Sequence, residues 1–277
     1  MHDSIFDDFR NVTSTSTGEH IFDFIGARTK VAYKSGWAKH AMPAGRQITP
    51  NFPVFNEHYM DWVATLRAVA KASGTFRMAE LGAGWAPWLV RGALAAQQRD
   101  AITGVELLGV EADPQHYEWM LDHVRDNGLD PEELFLIFGA ASAEAGMLRF
   151  PVIDNPDVDY GASLRKAQGD VPHIEVPGIT MDQIIGHFTG PVDFMHVDIQ
   201  GAEYDLLPAG MKQLQRNVKS IMIGTHMANE KHDGLARLFR ESGWVEVMNY
   251  ERNALSSTPY GEIRFGDGFL LYSNSEF

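Results

Sequence analysis

From Gly74 onward the chain alternates short buried apolar runs with amphipathic stretches of helical length, and this alternation restricts the fold more than any other feature. "FRMAELGAG" reads as a buried strand ending in glycines, and "PWLVRGALAAQQ" as a helix with Pro87 in its first turn. "ELLGVEAD" is the next strand, "PQHYEWMLDHVRDNG" a helix opened by Pro114 and closed near Gly128, and "LFLIFGAAS" the third strand. This βαβαβ order predicts a parallel sheet with right-handed crossovers. Further on come a short helix "TMDQIIGHF" capped by Thr180, the strand "VDFMHVDI", the helix "AEYDLLPAGMKQLQRN", the strand "SIMIGTHM" and the helix "KHDGLARLFRESG". The last two strands, "WVEVMNY" and "GFLLYSN", are joined by a long loop and predict an antiparallel closure of the sheet.

The first sixty residues differ in character. "NVTSTSTGEH" and "KSGWAKHAMPAGRQITPNFP" are rich in Ser, Thr, Gly, Pro and His and show little periodicity, so residues 1–60 are expected to form an arm or lid over a core domain spanning 61–277. A helix is predicted over 53–72, with Val54, Tyr59, Trp62, Val63, Leu66, Val69 and Ala70 on one face. Between about 146 and 178, Pro151, Pro156, Pro172 and Pro177 punctuate an irregular stretch, read as an insertion beside the sheet.

Composition excludes several classes. The apolar runs stop well short of the roughly 18 residues of a membrane span, and the acidic amino terminus lacks the pattern of a signal peptide. With no cysteine there are no disulfides, thiolate metal ligands or cysteine nucleophiles, which fits a reducing, cytoplasmic setting. A formal net charge of -14 without any dense Lys/Arg run repels polyphosphate, so neither nucleic acid nor membrane is an expected partner.

In a doubly wound sheet, ligands bind beyond the carboxyl ends of the strands where the strand order reverses. The residues at those ends are Glu80, Gly82 and Gly84, then Glu111 and Asp113, then Ala140, Ala141 and Ser142, then Asp198 and Gln200, and last His226. Gly82 and Gly84 let the backbone pass close to a ligand. A dinucleotide fingerprint needs a third glycine where Pro87 stands, so a nicotinamide-dependent Rossmann oxidoreductase is an alternative, and no Tyr-x-x-x-Lys pair supports it. Glu111, at the tip of the second strand, is suited to accept hydrogen bonds from both hydroxyls of a ribose, each contributing about 1.5 to 3 kcal/mol. Glycine turn and acid together point to a nucleoside ligand.

"AELGAGW", "GVEADP", "FGAAS" and above all "HVDIQGAEYDLLPAG" resemble the FkbM-type methyltransferases over about residues 76–250, the last motif usually being seen as D-x-E-G-A-E. The resemblance implies an α/β fold with a Rossmann-like seven-stranded methyltransferase sheet, helices on both faces, and use of S-adenosylmethionine. It implies that Glu80, Gly82, Gly84, Trp85 and Glu111 bind the cofactor, that Ala141 and Ser142 lie near its adenine, and that Asp198 sits between its methionine end and the substrate. The implied reaction is O-methylation of a hydroxyl on a sugar or secondary metabolite, with nitrogen as the near alternative and a small-molecule hydroxyl acceptor as partner. The chain departs from the family at Gln200, where Glu is common, and at "GTH", where an acid often precedes the histidine. A non-catalytic nucleoside-binding protein is the alternative that these departures suggest.

Methyl transfer from a sulfonium leans on positioning, which supplies roughly 7 to 11 kcal/mol, more than the roughly 10²- to 10⁴-fold of a general base. His226, with the ordinary histidine pKa of about 6.5, is the expected base, acting beside Asp198. Glu203 is divided between a helix-cap partner and a site residue. His196 reads as structural, and His58 and His232 are remote candidates for substrate contact. Asp198, Glu203 and His226 hold the donor types a divalent ion takes, but no tight ligand spacing supports one and no metal is assigned. Trp85 and Trp37 are candidate faces for a ring or a sulfonium, and Arg28, Lys30, Lys34 and Arg46 for an anionic substrate.

Overall fold

In a computed structural model, which describes residues 2–167 and 169–277, the alternation beginning at Gly74 closes into one seven-stranded sheet. Its strands in chain order are β1 (Gly74–Leu81), β2 (Ile102–Glu111), β3 (Phe135–Phe138), β4 (Phe194–Val197), β5 (Ser220–Thr225), β6 (Trp244–Tyr250) and β7 (Gly268–Asn274). The spatial order is β3-β2-β1-β4-β5-β7-β6. β7 runs antiparallel to both of its neighbours and the remaining pairs are parallel. Every residue of β4 is buried, as the continuous apolar run of a strand covered on both faces requires.

Helices cover both faces. α1 (His58–Lys71), α2 (Pro87–Ala96) and α3 (Pro114–Asp126) bury Val63, Leu66, Leu89, Val90, Met120 and Val124 in one core. α4 (Met181–Gly186), α5 (Glu203–Asn217) and α6 (Asn229–Glu241) bury Ile184, Leu206, Leu207, Leu214, Leu235 and Phe239 in the other. Thr180 forms the predicted cap of α4, completed into a reciprocal capping box by Gln183.

The amino-terminal stretch is bound to the core more tightly than an arm would be. Phe6 and Phe24 are fully buried, with ring centroids 5.2 Å from Tyr59 and 5.1 Å from Trp62 respectively. Asp3 pairs with Arg67 at 2.8 Å, Lys30 with Asp122 at 2.9 Å, and the Thr29 hydroxyl lies 3.1 Å from His123. α1 begins at His58 and not at residue 53: Val54, counted on the apolar face, is exposed before it, as is Phe55. The helix therefore crosses the boundary expected at residue 60. Within the insertion, Gly146–Pro151 pairs antiparallel with His173–Ile179, whose end pairs parallel with Ala140–Ala141. The long loop before β7 holds an unanticipated hairpin, Leu255–Thr258 with Gly261–Arg264, whose short polar strands carry little periodicity.

The strand order reverses between β1 and β4. Leu81 pairs with Val110 on one side and Val197 on the other, so the residues that follow, Gly82, Glu111 and Asp198, come side by side at the carboxyl edge. Gly82 has φ +73°, and a Cβ built on it would stand 1.9 Å from the Asp198 carbonyl oxygen. Gly82→Ala is therefore expected to lower the unfolding free energy by more than about 3 kcal/mol, adding a backbone clash to the left-handed penalty. Gly104→Ala, which meets only Thr75 Oγ1 at 3.9 Å, should stay within about 0.5 kcal/mol. Urea unfolding of the two variants checks the contrast.

Candidate active site

A cavity of about 490 Å³ opens at this reversal, in the size range of small-molecule sites. Glycine turn, Glu111, Ala140, Ala141, Trp85, Asp198 and Gln200 all line it.

On the β2 side, Glu111 is buried and bridges two turns: one carboxylate oxygen accepts the Gly84 N–H at 2.7 Å and the other the Asp113 N–H at 2.7 Å. Burial pushes its pKa up against the pull of those amides and of His116. Asp113 caps α3 by accepting the His116 N–H at 2.9 Å. His116 in turn stacks on Tyr160, the centroids 4.4 Å apart and the rings within 2° of parallel, and Tyr160 meets Trp85 edge-on at 5.0 Å. The Tyr160 hydroxyl donates to the Tyr33 carbonyl, tying the insertion loop to the amino-terminal stretch. Trp85 is anchored through its carbonyl, which accepts from His123 Nδ1 at 2.9 Å. Burial and the nearby Arg91 charge push the His123 pKa down to about 3, so that ring is neutral at physiological pH.

Two residues expected on the cofactor are otherwise engaged. The Glu80 carboxylate accepts the Leu89 N–H at 2.7 Å and the Trp88 N–H at 3.3 Å, capping α2, whose own cap residue Ala86 has no side chain able to do so. Glu80 still lines the cavity wall, its pKa pushed up to about 7 by burial. Ser142 is turned away from the cavity: its hydroxyl accepts the Glu144 N–H at 3.2 Å, and its own N–H donates to the Ile179 carbonyl at 3.0 Å.

At the end of β4, Asp198 Oδ1 lies 3.0 Å from His226 Nε2 and accepts from Gln200 Nε2 at 2.8 Å, while Oδ2 has no protein partner among the described residues. The Asp198 side chain is 44% exposed, toward the cavity. Burial would raise its pKa, but His226, His196 and Gln200 together hold it at about 2. On the other side of the imidazole, His226 Nδ1 lies 3.2 Å from Glu203 Oε1, which also accepts the His226 backbone N–H at 3.1 Å. Glu203 is fully buried, and its second oxygen accepts the Gly201 N–H at 2.7 Å. Burial disfavours charge on His226, yet the two carboxylates outweigh it and raise its pKa to about 10. The ring is therefore a protonated bridge between Asp198 and Glu203. This corrects the expectation of a free base: both ring nitrogens face carboxylates, and Nε2 also lies 2.9 Å from the Gln200 amide.

The remaining candidates separate. His196 Nε2 lies 3.2 Å from Asp61 Oδ1, and the ring stacks on Trp88 at 5.7 Å. Burial lowers its pKa, but the Asp61 bond and charge reverse the net direction to upward. His58 lies at the rim, 3.5 Å from the other Asp61 oxygen. His232 is buried between Thr225 and Asn249 and has a structural role. Of the four cationic residues expected to meet a substrate, only Lys34 lines the cavity, together with Trp37. His116, Tyr160 and Arg91 were not anticipated, because they reach the cavity from a helix interior or from the irregular insertion, and neither was Asp61, which stands behind His196 and His58. No group of three or more His, Cys, Asp or Glu among the described residues is arranged to hold a metal, and none of the described helices is long and apolar enough to cross a membrane.

Residues 93–246 match the family described as Methyltransferase FkbM domain. A curated relative named "Putative methyltransferase", from Jannaschia sp. (strain CCS1), is 32% identical over 234 residues, covering 80% of this chain and 81% of its own. Among solved structures, a methyltransferase FkbM from Methylobacillus flagellatus KT superposes with a TM-score of 0.47 at 10% identity over 73% of this chain and 44% of that one. A precorrin-6y C5,15-methyltransferase from Geobacter metallireducens GS-15 does so with a TM-score of 0.41 at 9% identity over 76% and 86%.

The His226 bridge has a pH signature. Its pKa is raised from the ordinary 6.5 to about 10, so its stabilisation is complete below 6.5 and is lost as pH rises through about 10. Asp198, depressed from 3.8 to about 2, adds stability above 3.8 that is lost as pH falls through about 2. His226→Gln should cost on the order of 3 kcal/mol at pH 6, by leaving the Glu203 charge buried without its partner. The wild type should lose melting temperature between pH 6.5 and 10, and His226→Gln should flatten that decline. Thermal unfolding across that range checks both.

Proposed function

The chain belongs to the FkbM methyltransferase family, and from that premise we propose that it transfers a methyl group from S-adenosylmethionine to a hydroxyl oxygen of a small acceptor. The observation that carries the reading is the Glu111 carboxylate in the cavity wall: each oxygen accepts one backbone N–H at 2.7 Å and keeps a second lone pair for a ribose hydroxyl. The small side chains of Ala140 and Ala141 beside it leave room for a flat base, and Trp85 and Tyr160 supply aromatic faces. The residues present therefore fit the cofactor. Pro87, opening α2 where a dinucleotide fingerprint needs glycine, argues against the nicotinamide alternative.

When bound, S-adenosylmethionine supplies an electrophilic methyl on a sulfonium that needs no leaving-group activation. The protein's own work is then to hold the acceptor hydroxyl and receive its proton. Asp198 Oδ2 is the group suited to both: it accepts the O–H hydrogen bond and takes the proton as the new bond forms. With a pKa of about 2, Asp198 is a weak base that acts late, when the oxygen has become acidic. His226, already protonated, acts by holding Asp198 ionised and oriented; Glu203 fixes His226 from behind. Positioning thus carries most of the barrier reduction, roughly 7 to 11 kcal/mol in well-oriented systems.

Calorimetric titration with S-adenosylhomocysteine should give saturable binding, with none for NAD as the control. Glu111→Ala should weaken that binding at least tenfold, about 1.4 kcal/mol, and also lower the melting temperature, because the Gly84 and Asp113 amides lose their acceptor. An unchanged affinity removes Glu111 from the cofactor, and a silent titration of the wild type overturns the reading. Asp198→Asn should lower turnover on a hydroxyl acceptor by roughly 10²-fold or more with cofactor affinity kept.

A further inference from the structure

The half of the cavity away from Glu111 has a different chemistry. It is walled by Trp62 and His58 of α1, Trp88 and Arg91 of α2, and His196 of β4. Three acids also touch the cavity, and two of them accept backbone amides: Glu80 those at the start of α2, and Glu111, the acid assigned to the ribose, those of Gly84 and Asp113. The third, Asp198, is bound by His226 and Gln200 through one oxygen. Arg91 is the reverse case. Its Nε donates to Asp23 Oδ2 at 2.9 Å, and its two terminal nitrogens have no hydrogen bond or ion pair among the described residues.

This guanidinium is held as a binding group would be. Its central carbon lies 4.5 Å from the ring centroid of Trp62 and 4.5 Å from that of Trp88, the indoles being 86° apart. Two aromatic faces and one carboxylate restrict every soft torsion of the side chain, so little rotamer entropy remains to be lost on binding. The terminal N–H groups are the pair that grips an oxyanion in bidentate fashion. Trp88 and His196, stacked at 5.7 Å, line the same cavity as Arg91 and Asp198. An acceptor reaching both would present a hydroxyl at Asp198 and an anionic group at Arg91.

We propose that Arg91 receives a carboxylate or phosphate group of the methyl acceptor, so that the acceptor is an anionic hydroxy compound and not a neutral sugar. This rests on the methyl-transfer reading of the same cavity. Lys34, free of any salt bridge among the described residues and 5.9 Å from the Trp37 ring centroid, adds a second positive charge to the cavity lining. In a chain of net charge -14, two cations lining one cavity favour an anion that the rest of the surface repels.

The test titrates the whole protein, free and loaded with S-adenosylhomocysteine, with inorganic phosphate, acetate and neutral acetamide, following tryptophan fluorescence from Trp62 and Trp88. Wild type should bind at least one of the anions saturably, with Kd below about 10 mM, and acetamide not at all. Which anion saturates tells a phosphate acceptor from a carboxylate one. Arg91→Gln should weaken anion binding at least tenfold while S-adenosylhomocysteine affinity, which also reports folding, stays within about twofold. Asp23→Asn, which removes the one carboxylate partner of Arg91, should keep or tighten anion binding. No saturation in wild type, equal binding of acetamide, or equal affinity in Arg91→Gln overturns the proposal. So does equal weakening in Asp23→Asn and Arg91→Gln, which would make the pair a structural clasp. Failure of S-adenosylhomocysteine to bind wild type overturns the cofactor reading separately, and the anion titrations of the free protein are then still read.

Discussion

The approach of Gly82 to the Asp198 carbonyl is the contact on which the rest of the site depends. Leu81 sits between Val110 and Val197, so β1 touches both neighbours up to its last residue, and the chains part only after it. A side chain at position 82 would force β1 and β4 apart at the one place where the cavity forms. Because none is there, the Asp198 N–H can donate to the Leu81 carbonyl at 2.9 Å, and its carboxylate is carried to the mouth of the cavity. The chain then turns through Gln200 at φ +51° and Gly201 at φ +105° into α5. Glu203 secures that turn from inside by accepting the Gly201 N–H.

Around this contact the protein uses buried carboxylates as acceptors for turns and helix starts. α2 follows Ala86, which has no side chain to cap with, and Glu80 serves instead from β1, while Glu203, in the first turn of α5, holds the turn before that helix through the Gly201 N–H. Glu111 does the same for the glycine turn. Each burial carries a desolvation cost that charge-assisted bonds to N–H groups offset, and each leaves a rigid wall of fixed dipoles. Asp198 alone among them keeps an oxygen without a protein partner in the described residues, and its ionised state is maintained by a histidine that two carboxylates keep protonated. The wall thus separates acids that build the cavity from the one that faces the reaction.

Much of this was legible in the sequence, and the gaps have physical causes. Strand ends announce themselves, because an apolar run that stops at glycine or an acid has few other places to stop; Gly82, Gly84, Glu111 and Asp198 were all found in this way and all line one cavity. The state of His226 was not legible. An isolated histidine has a pKa near 6.5, and only the arrival of Asp198 and Glu203 on opposite nitrogens moves it to about 10. Ser142 was misjudged because a strand-end hydroxyl looks the same whether it faces a ligand or closes a turn. Arg91 and Asp61 were missed since a charge inside an amphipathic helix reads as a solvated face until packing turns it inward.

The sequence by itself determined the doubly wound sheet and the acids at the strand tips, because these depend on periodicity and on local backbone chemistry that neighbours in the chain impose, and its motifs carried the family resemblance. Tertiary structure alone decided which acids accept amides, which histidine is charged, and that Arg91 lies between two indoles facing the cavity with its terminal nitrogens unengaged. Those properties arise from contacts between residues tens to hundreds of positions apart, where burial and the sign of the adjoining charge, absent from any local pattern, set the chemistry of each group.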